Sequence, residues 1–157
     1  MKFVRFLYQN HVLYGTIEGD NVRKIEGDIF GSYEILDEEV KLEDIKILIP
    51  VVPSKVVAVG LNYTDHAKEL EMPIPDEPII FIKPQTSVIG HMDEIIYPDS
   101  VNRLDYEAEL AIVMKNQAKS ISEDDANKYI LGYTCLNDVT ARDLQKKRCS
   151  MDSSKII

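Results

Sequence analysis

The apolar residues of this 157-residue chain come in short runs, each closed by turn-forming residues, and that punctuation favours strands over long helices. From Lys2 to about Ile49 the runs are broken by Glu18-Gly19-Asp20-Asn21 and by Glu26-Gly27-Asp28. Glycine accepts the positive φ of tight turns, so a small antiparallel β unit is expected over 1–52. Ile47-Leu48-Ile49-Pro50-Val51-Val52-Pro53 then sets two prolines around a short apolar stretch. Proline cannot donate to a ladder and biases its predecessor to extended backbone, so a connector and a domain boundary belong there.

Beyond the boundary, Lys55 to Val59 reads as a strand ending at Gly60, and Asn62-Tyr63-Thr64-Asp65 offers capping side chains for a short helix through His66-Ala67-Lys68-Glu69-Leu70. The proline-rich Met72 to Pro78 ends that helix, and Ile79 to Lys83 is a second strand, closed by Pro84. Tyr106 to Met114 is predicted as a third strand, Ser122 to Ala126 as a helix start, and Tyr129 to Asn137 as a fourth strand. The fold class is therefore α+β, mainly β. Tyr63, Tyr97 and Tyr106 are expected to pack inside it.

Hydrophobic residues at 45% and charged residues at 29% are the proportions of a globular protein with a packed core. A formal net charge of -9 repels phosphate backbones and anionic membrane surfaces, which argues against nucleic acid and membrane partners. An anionic substrate would be repelled as well unless a metal ion or an arginine supplied local positive charge. No stretch approaches the roughly 20 apolar residues that span a bilayer. The amino terminus mixes Lys2, Arg5, Gln9, Asn10 and His11 into its apolar residues and has no signal-peptide core. Cys135 and Cys149 show neither metal spacing nor a disulfide framework, so a reducing cytoplasm is the expected setting.

The sharpest local feature is Arg103-Leu104-Asp105-Tyr106-Glu107-Ala108-Glu109-Leu110-Ala111-Ile112-Val113, where two acids flank an alanine as an apolar strand begins. Side chains alternate along a strand, so Glu107 and Glu109 share a face. They repel each other there unless a cation lies between them, one binds a proton, or the face is simply a solvated edge. Asp138 sits where the last strand runs out into Val139-Thr140-Ala141-Arg142-Asp143, as a candidate third ligand or as a helix cap. Three carboxylates without histidine or cysteine would select a hard ion, Mg²⁺ or Mn²⁺.

Three separated segments together resemble the fumarylacetoacetate hydrolase family. They are Val59-Gly60-Leu61-Asn62-Tyr63-Thr64-Asp65-His66-Ala67-Lys68-Glu69, the Arg103 to Leu110 run, and Asn137-Asp138-Val139-Thr140-Ala141-Arg142-Asp143-Leu144-Gln145, with Phe81-Ile82-Lys83-Pro84 between the first two. The resemblance covers about Lys55 to Lys147 closely and the amino-terminal unit loosely. It implies that 53–147 is the first part of that family's mixed β-roll, incomplete in this chain. It makes Glu107, Glu109 and Asp138 the ligands of Mg²⁺ or Mn²⁺. His66 and Glu69 match a lid-borne catalytic pair, Glu69 orienting His66 from one helical turn away. Arg142 and Gln145 match substrate contacts, and Lys83 is a further substrate-binding candidate. The implied protein is a homodimeric hydrolase, decarboxylase or isomerase of a small anionic 2-oxo acid or its enol, working through an enolate that the ion stabilises.

After Lys147 the resemblance stops, and 148–157 is an atypical tail. Shifted by one base, the codons of Met151 and Asp152 must read tryptophan, and permitted codons around them yield a segment like the family's continuation. A frameshift is therefore expected to have replaced the rest of the chain. Central strands lacking later partners would expose apolar faces and unpaired backbone groups. The competing functional readings are a catalytically impaired fragment and a noncatalytic module that binds a metal or a small acid.

Overall fold

The computed structural model describes residues 1–69 and 73–149, so the expectations placed on Leu70, Met72 and the tail beyond Cys149 lie outside the described residues. Strands dominate the chain, and it divides into two compact units, Met1–Glu26 with Glu34–Asp93, and Gly27–Tyr33 with the described residues from Glu94 onward.

The first unit holds a five-stranded sheet built from β1 (Phe3–Tyr8), β2 (His11–Glu18), β3 (Asn21–Gly27), β4 (Tyr33–Lys41) and β5 (Lys46–Ile47), in the order β4-β3-β2-β1-β5. β1 and β2 pair antiparallel from Phe3↔Thr16 to Tyr8↔His11, which leaves Gln9 and Asn10 as a two-residue loop. Both have positive φ, 49° and 64°, the backbone of a tight hairpin turn whose twist matches that of its strands. The next hairpin closes from Glu18↔Asn21 around Gly19 (φ 60°), on the turn residues the sequence displays. Val4, Phe6, Val22 and Val40 form the buried centre, flanked by Tyr8, Leu13, Ile17, Leu42, Ile45 and Ile47. Gly15 makes this packing possible: a Cβ there would lie 2.5 Å from the Arg23 carbonyl oxygen, 2.6 Å from Val22 Cγ1 and 3.1 Å from Phe6 Cε1.

Also in this unit, β6 (Val56–Gly60) and β7 (Ile79–Lys83) pair antiparallel from Val56↔Lys83 to Gly60↔Ile79. Between them runs α1 (Thr64–Glu69), a single short helix as the sequence suggests. Leu61, at φ 52°, makes the left-handed turn that leads from β6 toward α1.

The second unit carries β8 (Leu104–Asp105), β9 (Ala108–Met114), β10 (Ile130–Asn137), β11 (Thr140–Ala141) and α2 (Arg142–Cys149). The third predicted strand therefore starts later than expected, at Ala108. Glu107 takes its N–H out of the regular pattern by donating to Asn137 Oδ1 at 3.1 Å. The helix start expected at Ser122 to Ala126 is a 3₁₀ segment, Glu123–Tyr129. The expectation that three tyrosines pack inside is corrected: Tyr106 is 84% exposed, and Tyr63 and Tyr97 are exposed too. Tyr106 lies between β8 and β9 with its side chain in solvent, and the Tyr97 hydroxyl accepts the Leu104 N–H at 3.2 Å, a polar task that keeps it at the surface. Leu110, Ile112, Met114 and Tyr133 are exposed, so β9 and β10 carry an apolar outer face of the kind expected of central strands. Among the described residues no helix is long and apolar enough to cross a membrane.

Candidate functional site

One short pairing and one long one in the second unit add up to a single ribbon. β8 pairs with β11 through Leu104↔Ala141 and Asp105↔Thr140. β9 pairs with β10 from Ala108↔Asn137 to Val113↔Gly132, in the same register. Between them the Asp138 N–H donates to the Glu107 carbonyl at 2.8 Å, and beyond β8 the Arg142 N–H donates to the Arg103 carbonyl at 2.9 Å. Arg103 thus stands opposite Arg142, Asp105 opposite Thr140, Glu107 opposite Asp138 and Glu109 opposite Leu136.

Alternation then sorts the side chains. Asp105, Glu107, Glu109, Ala111 and Val113 are partly covered, whereas Tyr106, Ala108, Leu110, Ile112 and Met114 are exposed. On the other strand Thr134 and Leu136 are partly covered and Asp138 is buried, 5% exposed. The three acids singled out in the sequence therefore lie on the covered face at neighbouring positions. Residues directly opposite have Cβ atoms about 5 Å apart, and diagonal neighbours about 7–8 Å. Both spans suit carboxylates that reach toward one ion. Asp138 does not cap a helix, since α2 begins four residues later, at Arg142.

In the arrangement observed, no three of the described His, Cys, Asp and Glu side chains converge to metal-holding distance. Glu107 instead accepts a hydrogen bond from Arg142 Nη2, and the two form a salt bridge. The chemistry of the donor set suits a hard divalent ion, and backbone register sets all three carboxylate-bearing positions on one face.

Arg142 is the hub of this face. Its Nε donates to Asp105 Oδ2 at 2.9 Å, and its Nη1 donates to Gln145 Oε1 at 2.7 Å, one turn along α2. Asp105 is held from its other oxygen by Arg103 Nε at 2.9 Å. The Arg103 and Arg142 hydrogen bonds bring the Asp105 pKa down to about 2. Burial alone would lower the pKa of the Arg142 guanidinium, but its bonds to Asp105 and Glu107 outweigh that and raise it. The two substrate-contact candidates Arg142 and Gln145 are thus brought together beside Glu107. Arg103 and Asp105 join this face although the motif alone gives them no role; their signal is a charged residue at every second position from Arg103 to Glu109.

His66 and Glu69 lie on α1 and Lys83 ends β7, all in the first unit. Ala67, between His66 and Glu69, is fully buried and donates its N–H to the Tyr63 carbonyl at 3.1 Å.

The start of α2 is tied down by Asp143, whose Oδ2 accepts the Asn102 backbone N–H and side-chain amide, each at 3.1 Å. The Asn102 N–H lowers the Asp143 pKa, against a smaller opposing effect of burial. A depressed folded-state pKa contributes stability that is fully present above the ordinary carboxylate value, about 4, and is lost as pH falls through the depressed value. Thermal melts followed by circular dichroism are therefore expected to fall more steeply below about pH 4 for the parent chain than for Asp143→Asn. Parallel curves would show that this carboxylate contributes nothing.

Two family models divide the chain between them. Residues 1–50 match Rv2993c-like, N-terminal, and residues 55–155 match Fumarylacetoacetate (FAA) hydrolase C-terminal. An uncharacterized protein of Archaeoglobus fulgidus is 52% identical over 145 residues, which is 91% of this chain and 54% of that protein. Human mitochondrial oxaloacetate tautomerase FAHD2A is 44% identical over 106 residues, 67% of this chain and 34% of its own. Among solved structures, 2-hydroxyhepta-2,4-diene-1,7-dioate isomerase from Mycobacterium marinum superposes with a TM-score of 0.83 at 35% identity, covering 95% of this chain and 58% of the isomerase. The chain thus covers from about a third to little more than half of the length of these relatives. With the family model matching 101 of its 157 residues, and with the Arg103, Glu107, Glu109, Asp138 and Arg142 face built as described, the chain belongs to the fumarylacetoacetate hydrolase family.

Proposed function

We propose that this chain is the amino-terminal part of a divalent-metal enzyme that moves a proton on, or cleaves a carbon–carbon bond of, a small 2-oxo acid or its enol. The observation that carries the reading is the register of Glu107 opposite Asp138, with Glu109 two residues along the same face and Arg142 and Gln145 beside them. Its relatives favour proton transfer: one is an oxaloacetate tautomerase and another a dienedioate isomerase. Both reactions shift a proton and a double bond next to a carbonyl group.

Glu107, Glu109 and Asp138 would hold Mg²⁺ or Mn²⁺, and the ion when bound would supply the positive charge that steadies a developing enolate oxygen. Arg142 offers a planar fork to the substrate carboxylate, the local positive charge that an acidic protein needs to bind an acid. Gln145, hydrogen-bonded to Arg142, keeps that fork oriented and adds a second polar contact. His66 is assigned the proton transfer, with Glu69 holding its tautomer, and Lys83 a supporting contact to the substrate.

The test is the enol-to-keto conversion of oxaloacetate, followed by ultraviolet absorbance with Mg²⁺ present. The chain is expected to accelerate it, and His66→Ala to slow it by roughly 100-fold or more while Mn²⁺ binding is retained. A chain that binds Mn²⁺ and oxaloacetate without turnover would instead be a binding module.

A further inference from the structure

We propose that Asp105, itself held by Arg103, is a positioning residue that fixes the guanidinium plane of Arg142 for the carboxylate of a small 2-oxo acid. This inference rests on the reading of Arg142 as the substrate's carboxylate contact and adds to it the group that aims the arginine.

The carboxylate of Asp105 stands between two arginines and gives one oxygen to each. Arg103 Nε donates to Oδ1 and Arg142 Nε to Oδ2, both at 2.9 Å. The ribbon sets this geometry, since its register places Arg103 opposite Arg142 and Asp105 opposite Thr140. The Asp105 and Arg142 side chains are mostly covered, whereas that of Arg103 is largely exposed. The bond that aims Arg142 is thus partly shielded from water, where an ionic hydrogen bond is stronger, and its support stands at the surface.

A bond through Nε has a directional consequence. A guanidinium is planar and carries five N–H donors, one on Nε and four on the two Nη atoms. Asp105 accepts from Nε, and Gln145 accepts from Nη1 at 2.7 Å. These bonds, at the root and the tip of the group, fix its plane and turn the Nη end away from Asp105. That end is the one a planar carboxylate would meet.

Charge explains the second arginine. Asp105 with Arg142 alone is a neutral pair, which attracts an anion weakly. Arg103 returns the trio to a net positive charge, so Arg142 is oriented by one carboxylate without losing its pull on another. The simpler role of fastening α2 is already filled: the Arg142 N–H is bonded to the Arg103 carbonyl, and Asp143 accepts two hydrogen bonds from Asn102.

The experiment is calorimetric titration of oxalate, a planar dicarboxylate, into the full chain with Mg²⁺ present, the parent beside Asp105→Asn. By charge alone this substitution would tighten an anion, since it removes a negative charge. Positioning predicts the opposite sign. The amide puts a donor where one of the two acceptor oxygens stood, so it cannot serve both arginines, and oxalate is expected to bind about tenfold more weakly. Unchanged or tighter binding would overturn the positioning role. A parent chain that binds no oxalate would overturn the reading of Arg142 itself, so the two failures are distinguishable. Arg103→Gln changes an exposed side chain and is expected to weaken oxalate by roughly threefold; unchanged affinity would overturn the part given to Arg103. In arginine-side-chain NMR of the parent, oxalate is expected to shift the Arg142 Nη signals and to leave Nε in place, a signature that mere fastening of α2 would not give. An equal shift at Nε would refute the held plane.

Discussion

Glu107→Gln with Glu109→Gln is expected to abolish Mn²⁺ binding in calorimetry, and Asp138→Asn alone to weaken it by at least 100-fold. The magnitude follows from the nature of the site. A hard ion is held by charge more than by shape, and an amide oxygen offers no net charge to a dication. Removing two of the three proposed ligand carboxylates leaves a single anion to hold the ion. Asp138 is the most sensitive single position because it is buried, where the dielectric is low and each charge counts most. The same substitutions should disturb the fold little, since the ribbon is held by backbone bonds from Arg103 and Arg142 to Val113 and Gly132. Unaltered secondary structure by circular dichroism together with lost binding is the expected combination. Retained Mn²⁺ affinity in the double variant would remove these acids from the site.

The second large effect concerns the amino-terminal sheet. Phe6→Ala is expected to destabilise that unit by about 3–5 kcal/mol, a large fraction of the roughly 5–15 kcal/mol that holds an ordinary domain folded. Phe6 is fully buried, pairs with Leu13 on one side and with Ile47 on the other, and fills the space left open by the missing Cβ of Gly15. Because it joins β2 and β5 through β1, its loss opens a cavity that backbone hydrogen bonds prevent from collapsing. Urea unfolding monitored by circular dichroism measures this. A loss below about 1 kcal/mol would mean that Phe6 is not the centre of that core.

Much of this molecule was legible in its sequence where a signal repeats locally. Glu18-Gly19-Asp20-Asn21 marks a hairpin because glycine supplies the positive φ that the turn requires, and β7 runs over the predicted residues, Ile79–Lys83. Glu107 and Glu109 share a face because period two is intrinsic to a strand. What escaped lacks such a signal. The Gln9-Asn10 turn contains no glycine, and two-residue strands such as β8 and β11 are too short to show a period. The pairing of Asp105 with Arg142 joins residues 37 apart, and no local pattern specifies a contact of that range. Tyr106 reads as a packing residue by type, yet it lies between β8 and β9 with its ring exposed, and residue type carries no signal of that.

The most direct measurement is anomalous diffraction at the manganese edge from crystals of the chain grown with Mn²⁺. One peak is expected, about 2 Å from carboxylate oxygens of Glu107, Glu109 and Asp138 together. A peak on other residues, or these three acids left apart beside bound manganese, would contradict the proposed site.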